Sequence, residues 1–307
     1  MATGQRTAKP MSRMARREAI EGYIGISPWL LGFLFFMAFP ILASLGLSFT
    51  DWRITVAPEW VGLRNYIRMF TTDRDFYQSL RVTFIYVAIS LPLNLVVGLF
   101  LSLLLNTKVP AMGFFRTLFY LPVVLSGVSV SLMWMWLLQP DYGLVNSLLA
   151  NFGITGPQWF WHPSTALLSV VLMNLWRVGG SVIIYLAGLQ NIPPHLYEAA
   201  DMDGAGFWSK LINVTIPMLT PTIFFQLVME LIEAFRVFTA VYVITGGGPV
   251  GSTLFYMFYM FRTAFVDFQM GYASALAWVI SVIIMGFTFL VFRSSALWVY
   301  YESEGKN

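Results

Sequence analysis

The sequence contains no cysteine and only two histidines. Without cysteine, a disulfide framework, a thiolate nucleophile and a zinc-thiolate site are all excluded. The two histidines, His162 and His195, have no metal-ligand spacing and no catalytic partner residues, so we interpret both as solvated loop residues. We therefore expect no catalytic residue, no metal site and no cofactor in this chain.

Charged residues are also scarce, at 11% of 307 residues, against roughly 25% in a soluble globular domain. Hydrophobic residues make up 58% of the chain and its mean hydropathy is +0.70. A chain with so little polar surface is expected to be solvated by lipid. This composition predicts membrane lipid as a partner and excludes nucleic acid.

Six apolar stretches are long enough to cross a membrane. Each exceeds the roughly 20 residues that cross the hydrocarbon core as a helix, which is the spanning element that satisfies its own backbone hydrogen bonds. We therefore predict an all-α polytopic membrane protein with six transmembrane helices. The first stretch is too long for a cleavable signal peptide and is expected to remain as a span. The stretches are residues 28–50, 80–106, 113–138, 165–188, 221–244 and 271–293.

The distribution of lysine and arginine predicts the orientation. With the N-terminus inside, ten Lys and Arg residues lie near the inner ends of the spans and six near the outer ends, which agrees with the positive-inside rule. The predicted organisation is a cytoplasmic tail at 1–27, a six-span domain at 28–293 and a second cytoplasmic tail at 294–307. One polar segment, residues 191–217, interrupts the apolar pattern on the inner side.

This polar segment is predicted to form helix, turn and helix. Pro193 and Pro194 favour a helix start, because a proline at the first helical position lacks only an N–H that would be unpaired anyway. Asp203 and Gly204 indicate a tight turn. A second helix is expected over 207–215, with Pro217 and Pro221 closing the segment.

The motif residues of this segment resemble the EAA loop of bacterial ABC-importer permeases, specifically the sugar-permease branch. The residues that carry the resemblance are Glu198, Ala199, Ala200, Asp203, Gly204, Ala205 and Pro217. The resemblance extends over roughly residues 28–293. It includes an outer amphipathic helix within 62–70, a proline at position 122 that is expected to kink the third span, and an outer turn at 245–249.

The resemblance implies a type I importer fold in which the EAA loop seats in a cytoplasmic ATPase. It also implies a multi-pass protein of a bacterial or archaeal cytoplasmic membrane. The implied partners are a second homologous permease, two ATP-binding cassette subunits and an external solute-binding protein. ATP and Mg²⁺ would be bound by the ATPase, because this chain has no G-x-x-x-x-G-K-[ST] motif.

Ionisable residues inside the spans are the candidates for a translocation path, since each costs about 2.5 to 3.5 kcal/mol at a helix centre. Glu230, Glu233 and Arg236 recur every three residues in the fifth predicted span, and Asn174 and Arg177 lie in the fourth. The trio is open to two interpretations, an internal charge ladder or a lining of the path. The two arginines also leave open a substrate that is an acidic saccharide or a glycerophosphate.

Two other classes of protein remain open at this point. An intramembrane enzyme would use Glu230, Glu233 and Arg236 for acid-base chemistry, although no motif positions a substrate bond beside them. An autonomous channel or a secondary carrier would be driven by an ion gradient. The EAA-like segment argues against the second alternative, because such a carrier has no use for an ATPase-docking loop.

Overall fold

The computed structural model of the chain describes residues 13–107 and 110–300. The outermost parts of both predicted tails, 1–12 and 301–307, therefore lie outside the described residues. Within the described part the fold is helical, with one antiparallel pair of short strands, β1 (Thr50–Asp51) and β2 (Glu59–Trp60), in which Thr50 lies opposite Trp60. The helices are α1 (Arg13–Phe33), α2 (Phe39–Leu47), α3 (Arg64–Thr71), α4 (Arg74–Leu105), α5 (Met112–Val124), α6 (Gly127–Leu137), α7 (Leu144–Asn151), α8 (Ala166–Leu175), α9 (Gly179–Gln190), α10 (Pro194–Met202), α11 (Phe207–Lys210), α12 (Ile216–Phe235), α13 (Tyr256–Phe265) and α14 (Met270–Trp298).

The described helices provide four continuous membrane spans and two broken ones. The continuous spans are Arg13–Leu47, Arg74–Leu105, Phe207–Phe235 and Met270–Trp298, and α5 with α6 and α8 with α9 form the broken pairs. The prediction of six spans is confirmed when each bent pair counts as one span. By length and composition, the protein is therefore an all-α polytopic membrane protein.

Five of the predicted spans differ in extent or in shape from the helices of the structure. The first helix begins at Arg13, inside the predicted tail, and α14 extends to Trp298, inside the other. The third span bends by 100° between α5 and α6, at Leu125 and Ser126, whose backbones are extended. The fourth bends by 44° between α8 and α9, and the fifth stops at Phe235 rather than near 244.

Prolines produce the irregular turns in two of the continuous spans. A π-helical turn, Leu34–Ala38, precedes Pro40, and another, Leu211–Thr215, precedes Pro217. A proline has no N–H to donate to the carbonyl four residues back, so each helix adds a residue to its turn and continues. The prediction that Pro217 and Pro221 close the polar segment is therefore wrong, because the helix that restarts at Phe207 runs through both prolines to Phe235.

Helix α4 is the centre of the packing. It contacts α8, α9, α12 and α13, and α14 packs against α12 and α13. The main buried cluster contains large side chains from these helices, among them Tyr86, Phe235, Tyr256 and Leu276. A turn is present where the sequence predicts one, since Gly246 and Gly247 have φ values of +56° and +86°.

A carboxylate joins three helices at the outer end of the bundle. Asp73 caps α4 by accepting the backbone N–H of Phe76 at 3.0 Å, and the hydroxyl groups of Tyr259 and Tyr272 both donate to its other oxygen. Burial, followed by the hydrogen bond from its hydroxyl to Asp73 and the negative charge of that group, raises the pKa of Tyr259 above its ordinary value of 10.0. The predicted outer helix is present as α3, whose Arg68 guanidinium lies 4.2 Å from the centre of the Tyr272 ring.

We expect Asp73→Ala to lower the free energy of unfolding by about 3 kcal/mol, from the lost helix cap and two buried hydroxyls left without an acceptor. Thermal unfolding of the detergent-purified protein measures the change. Asp267→Ala is the matched control, because Asp267 is an exposed carboxylate at the same end of the bundle. Equal melting temperatures for the two variants would contradict the role given to Asp73.

Candidate functional site

Three interruptions of the helical backbone lie within the bundle. They are residues 125–126 between α5 and α6, residues 176–178 between α8 and α9, and residues 236–238 after α12. Non-helical backbone at membrane depth is tolerated where it is buried in protein or lines a water-filled cavity. Three such interruptions in one bundle therefore indicate where a polar cavity is to be expected.

A cavity of about 310 Å³ lies where the three interruptions meet. We call it the central cavity. Residues beside each interruption line it, including Gly127 after the first, Arg177 in the second and Val237 in the third. All five residues predicted to line a path, Asn174, Arg177, Glu230, Glu233 and Arg236, border it. The structure therefore brings together residues that are separated by up to 62 positions in the chain.

Arg177 reaches the cavity because the chain leaves its helix there. Its backbone N–H donates to the carbonyl of Asn174 at 2.9 Å in a turn that ends α8. The next helix can start so close to α5 because Gly179 has no side chain, since a Cβ atom there would lie 2.0 Å from the carbonyl oxygen of Phe119. The Arg177 residue is exposed and forms no ion pair with any residue in the described ranges.

Glu230 lies deeper and is held by neutral groups. Its carboxylate accepts the Ser181 hydroxyl at 2.6 Å and the Asn94 side-chain amide at 3.4 Å. Gln226, one turn earlier on α12, donates to the backbone carbonyl of Ser181 at 3.0 Å. These bonds join α4, α9 and α12 at one level of the bundle. In the described part of the chain no cation pairs with Glu230.

Glu233 and Arg236 form a separate ion pair at 3.2 Å, and their side chains are 66% and 57% exposed. Of the two interpretations of the trio, a ladder of all three charges does not form, since Glu230 takes no part in this ion pair. Arg236 is also not inside a membrane helix, because it is the residue that ends α12. Both side chains line the central cavity, which agrees with the cavity-lining interpretation.

The polar segment at 191–217, which we call the docking loop, forms the predicted helix and turn. Helix α10 begins at Pro194 and ends at Met202. The N–H of Ala205 donates to the carbonyl of Ala200 at 2.9 Å, and the N–H of Gly204 donates to that of Asp201 at 3.0 Å. These two bonds, with Gly204 at a φ of +70°, form a Schellman motif, in which the left-handed residue after the helix is usually glycine.

The motif gives a physical reason for most of the predicted residues of the loop. Ala200 and Ala205 are the positions that meet across a Schellman turn, where small apolar side chains fit, and Asp203 is the capping residue between them. Ala199 and Glu198 lie on the exposed part of α10, and Glu198 forms no ion pair within the described residues. Pro217 lies away from the turn, at the start of α12.

Sequence reasoning missed the apolar surface of the docking loop. Met202, Phe207 and Trp208 flank the turn and are 89%, 65% and 70% exposed. Large apolar side chains clustered beside a polar turn indicate a surface that binds another protein. The signal was present in the sequence, because these three large apolar residues interrupt a polar segment.

The cavity contains further polar side chains that sequence reasoning missed. Asn94 and Tyr86 reach it from α4, and Ser131 reaches it from α6. Asn94 could have been found, since an amide in the middle of an apolar span requires a hydrogen-bond partner. Among the residues that the structure describes, no group of His, Asp and Glu side chains could hold a metal ion.

Comparison with known proteins gives concordant results. Residues 107–300 match the family described as binding-protein-dependent transport system inner membrane component. The chain is 45% identical over 301 residues to the probable ABC transporter permease protein YesP of Bacillus subtilis (strain 168), with 97% of each chain covered. It is 32% identical to the trehalose/maltose transport system permease protein MalF of Thermococcus litoralis, covering 92% of this chain and 96% of that one.

The fold is also similar to a solved structure. A chain in the crystal structure of a bacterial alginate ABC transporter, in complex with an alginate pentasaccharide-bound periplasmic protein, superposes with a TM-score of 0.82. The two chains are 23% identical, and the match covers 91% of this chain and 95% of the other.

Proposed function

Because the chain belongs to the family of binding-protein-dependent transport system inner membrane components, we propose that it is the membrane-spanning subunit of an ATP-driven importer that moves a saccharide into the cell. The chain itself is a permease and catalyses no reaction. It is a multi-pass protein of the inner membrane. The observation that carries the proposal is the convergence of three helix interruptions on one polar cavity.

The cavity supports passage of a polar solute. Its lining combines amides, hydroxyls and charged groups from α4, α6, α8 and α12, which are the groups that hydrogen-bond sugar hydroxyls. Ionisable residues inside a membrane bundle typically mark a substrate pathway. Relatives with 30% identity or more include transport proteins for trehalose and maltose, which supports a saccharide substrate.

The cavity of one chain is half of the proposed pathway. We expect a second, homologous permease to enclose the other half, as in transporters built from paired repeats. Two ATP-binding cassette subunits would bind ATP and Mg²⁺ and receive the docking loops. An external solute-binding protein would deliver the saccharide, and the alginate transporter was solved in complex with a periplasmic protein that has an alginate pentasaccharide bound. With the N-terminus inside, as we propose, six spans would put the docking loop in the cytoplasm.

The test is uptake by proteoliposomes that contain this chain, its partner permease, the ATPase and the binding protein. We expect accumulation of saccharide only with internal ATP and external binding protein. The chain alone, with a proton or sodium gradient, is expected to accumulate none. Uptake driven by the gradient without ATP would contradict the proposal and support a secondary carrier.

One observation favours a narrower substrate, an acidic saccharide or a glycerophosphate. Arg177 faces the central cavity without an ion pair among the described residues, whereas Arg236 is paired with Glu233. A guanidinium binds a carboxylate or a phosphate with two parallel hydrogen bonds. An arginine left unpaired in the cavity is therefore a suitable anchor for an anionic group.

We expect Arg177→Gln to lower the uptake of an acidic saccharide about tenfold or more, because hydrogen bonds to charged groups contribute about 1.5 to 3 kcal/mol. Uptake of a neutral saccharide of equal size should change less than about twofold. Radiolabelled uptake by the complete transporter measures both. Arg293→Gln, which removes an exposed arginine from α14, is the control. Equal losses for the two saccharides would exclude the anionic substrate.

A further inference from the structure

A partly buried hydrogen bond joins the two arms of the docking loop, which are α10 and the segment 207–215. The hydroxyl groups of Tyr197, on α10, and Thr215, just before α12, lie 3.0 Å apart. The Thr215 hydroxyl also donates to the backbone carbonyl of Lys210 at 3.2 Å. A hydroxyl has one proton, so Tyr197 is the donor of the bond between the arms. Thr215 is only 5% exposed, and Tyr197 is half-buried.

The position of Thr215 depends on the π-helical turn that precedes Pro217. In this turn the N–H of Ile216 donates to the carbonyl of Leu211, five residues back. The extra residue rotates the Thr215 hydroxyl to the carbonyl of Lys210, also five residues back, and leaves it accessible to Tyr197. The hydrogen bond between the arms therefore depends on the π-helical turn, because a regular helix would place the side chain of Thr215 at another angle around the helix.

A second interaction between the arms, an ion pair, is weaker than this hydrogen bond. Lys210 forms an ion pair with Asp201 at 2.5 Å, but the Asp201 side chain is 61% exposed. Exposed ion pairs contribute about 0 to 1 kcal/mol and are screened by salt. Below the loop, Tyr197 packs against the buried cluster of Leu189, Ile192 and Leu219. The Tyr197 side chain therefore joins α10 both to the base of the bundle and to the start of α12.

We propose that Tyr197 is a positioning residue that makes the docking loop and α12 move as one body. This inference rests on the proposed function, in which an ATPase pushes on the loop. Helix α12 carries Glu230 and Glu233, and Glu230 lies fifteen residues beyond Thr215, about 22 Å along the helix. When the hydrogen bond between Tyr197 and Thr215 is intact, a displacement of α10 turns α12 and changes the central cavity. When this bond is absent, α10 moves relative to Thr215 and its displacement is not passed on to α12.

The test is the ratio of saccharide transported to ATP hydrolysed by the reconstituted transporter. For Tyr197→Phe and for Thr215→Val we expect assembly and substrate-stimulated ATP hydrolysis within about twofold of the wild type, and a three- to tenfold fall in the ratio. The double variant should fall no further than either single one, because both remove the same bond. Thr215→Ser keeps the hydroxyl and should retain the wild-type ratio.

The control is Ser209→Ala, which removes a hydrogen bond from Asn213 within one arm of the same loop. It should leave the ratio unchanged. Parallel losses of hydrolysis and transport in Tyr197→Phe, or an unchanged ratio, would overturn the inference and leave Tyr197 with a packing role at most. Failure of the wild-type complex to transport any saccharide would instead contradict the proposed function, so the two failures are distinguishable.

Discussion

Replacing Gly204 with valine is expected to abolish most ATP-driven uptake, with a loss of about tenfold or more. Gly204 has a φ of +70° in the Schellman turn of the docking loop. A side chain at such a φ costs about 1 to 2 kcal/mol, and a β-branched residue is the least tolerated. The turn is therefore expected to open, and Met202 and Trp208 no longer flank one compact surface. Uptake and ATPase co-purification measure the loss.

Two variants separate backbone strain from other effects. Gly204→Asn should retain most of the uptake, because asparagine tolerates the left-handed conformation. Gly206→Val should also be mild, since Gly206 has a φ of −72° and open space around it. Nothing lies within 4 Å of a Cβ atom at Gly204 either, so a clash within the chain cannot explain a loss. Wild-type uptake by Gly204→Val would contradict the docking role of this turn.

Replacing Glu230 with glutamine is expected to lower saccharide uptake about tenfold or more, while assembly of the transporter stays intact. An unpaired carboxylate inside a bundle costs about 3 kcal/mol on insertion scales, so its removal does not weaken the fold. Glutamine keeps an oxygen for the Ser181 hydroxyl, which lies 2.6 Å from the carboxylate. What is lost is the charged acceptor that faces the cavity, and hydrogen bonds to such a group contribute about 1.5 to 3 kcal/mol.

For Glu230→Gln, saccharide uptake and the amount of purified complex must both be measured. Glu59→Gln, in the exposed outer hairpin, is the control and should behave as the wild type. A loss of complex together with uptake would mean that the carboxylate holds α4, α9 and α12 together rather than binding saccharide. Unchanged uptake would remove Glu230 from the pathway altogether.

The sequence was sufficient for features that depend on local chemistry. The docking loop was predicted because Pro194 begins a helix and Gly204 permits the turn that ends it. The six spans were predicted from apolar length alone. Both signals lie within a few turns of chain, so no knowledge of tertiary packing was required.

The helix interruptions could not be predicted, because they depend on contacts between distant segments. Pro122 indicated a kink, yet the chain breaks three residues later, at Leu125 and Ser126. Arg236 was expected inside a span because its neighbours are apolar, but α12 ends before it. The packing of Gly179 against Phe119 decides the position of Arg177, and no local pattern encodes that contact.

The separation of the three interruptions from the docking loop has a consequence for how such a transporter can diversify. The segments at 125–126, 176–178 and 236–238 are short and adjoin the central cavity, whereas the surface beside Gly204 is not part of its lining. If the docking loop binds an ATPase, as we propose, we expect substitutions in these three segments to change the imported solute without altering the fit to the ATPase. A single energy-supplying subunit could therefore serve several permeases of different selectivity, provided that each retains the same docking turn.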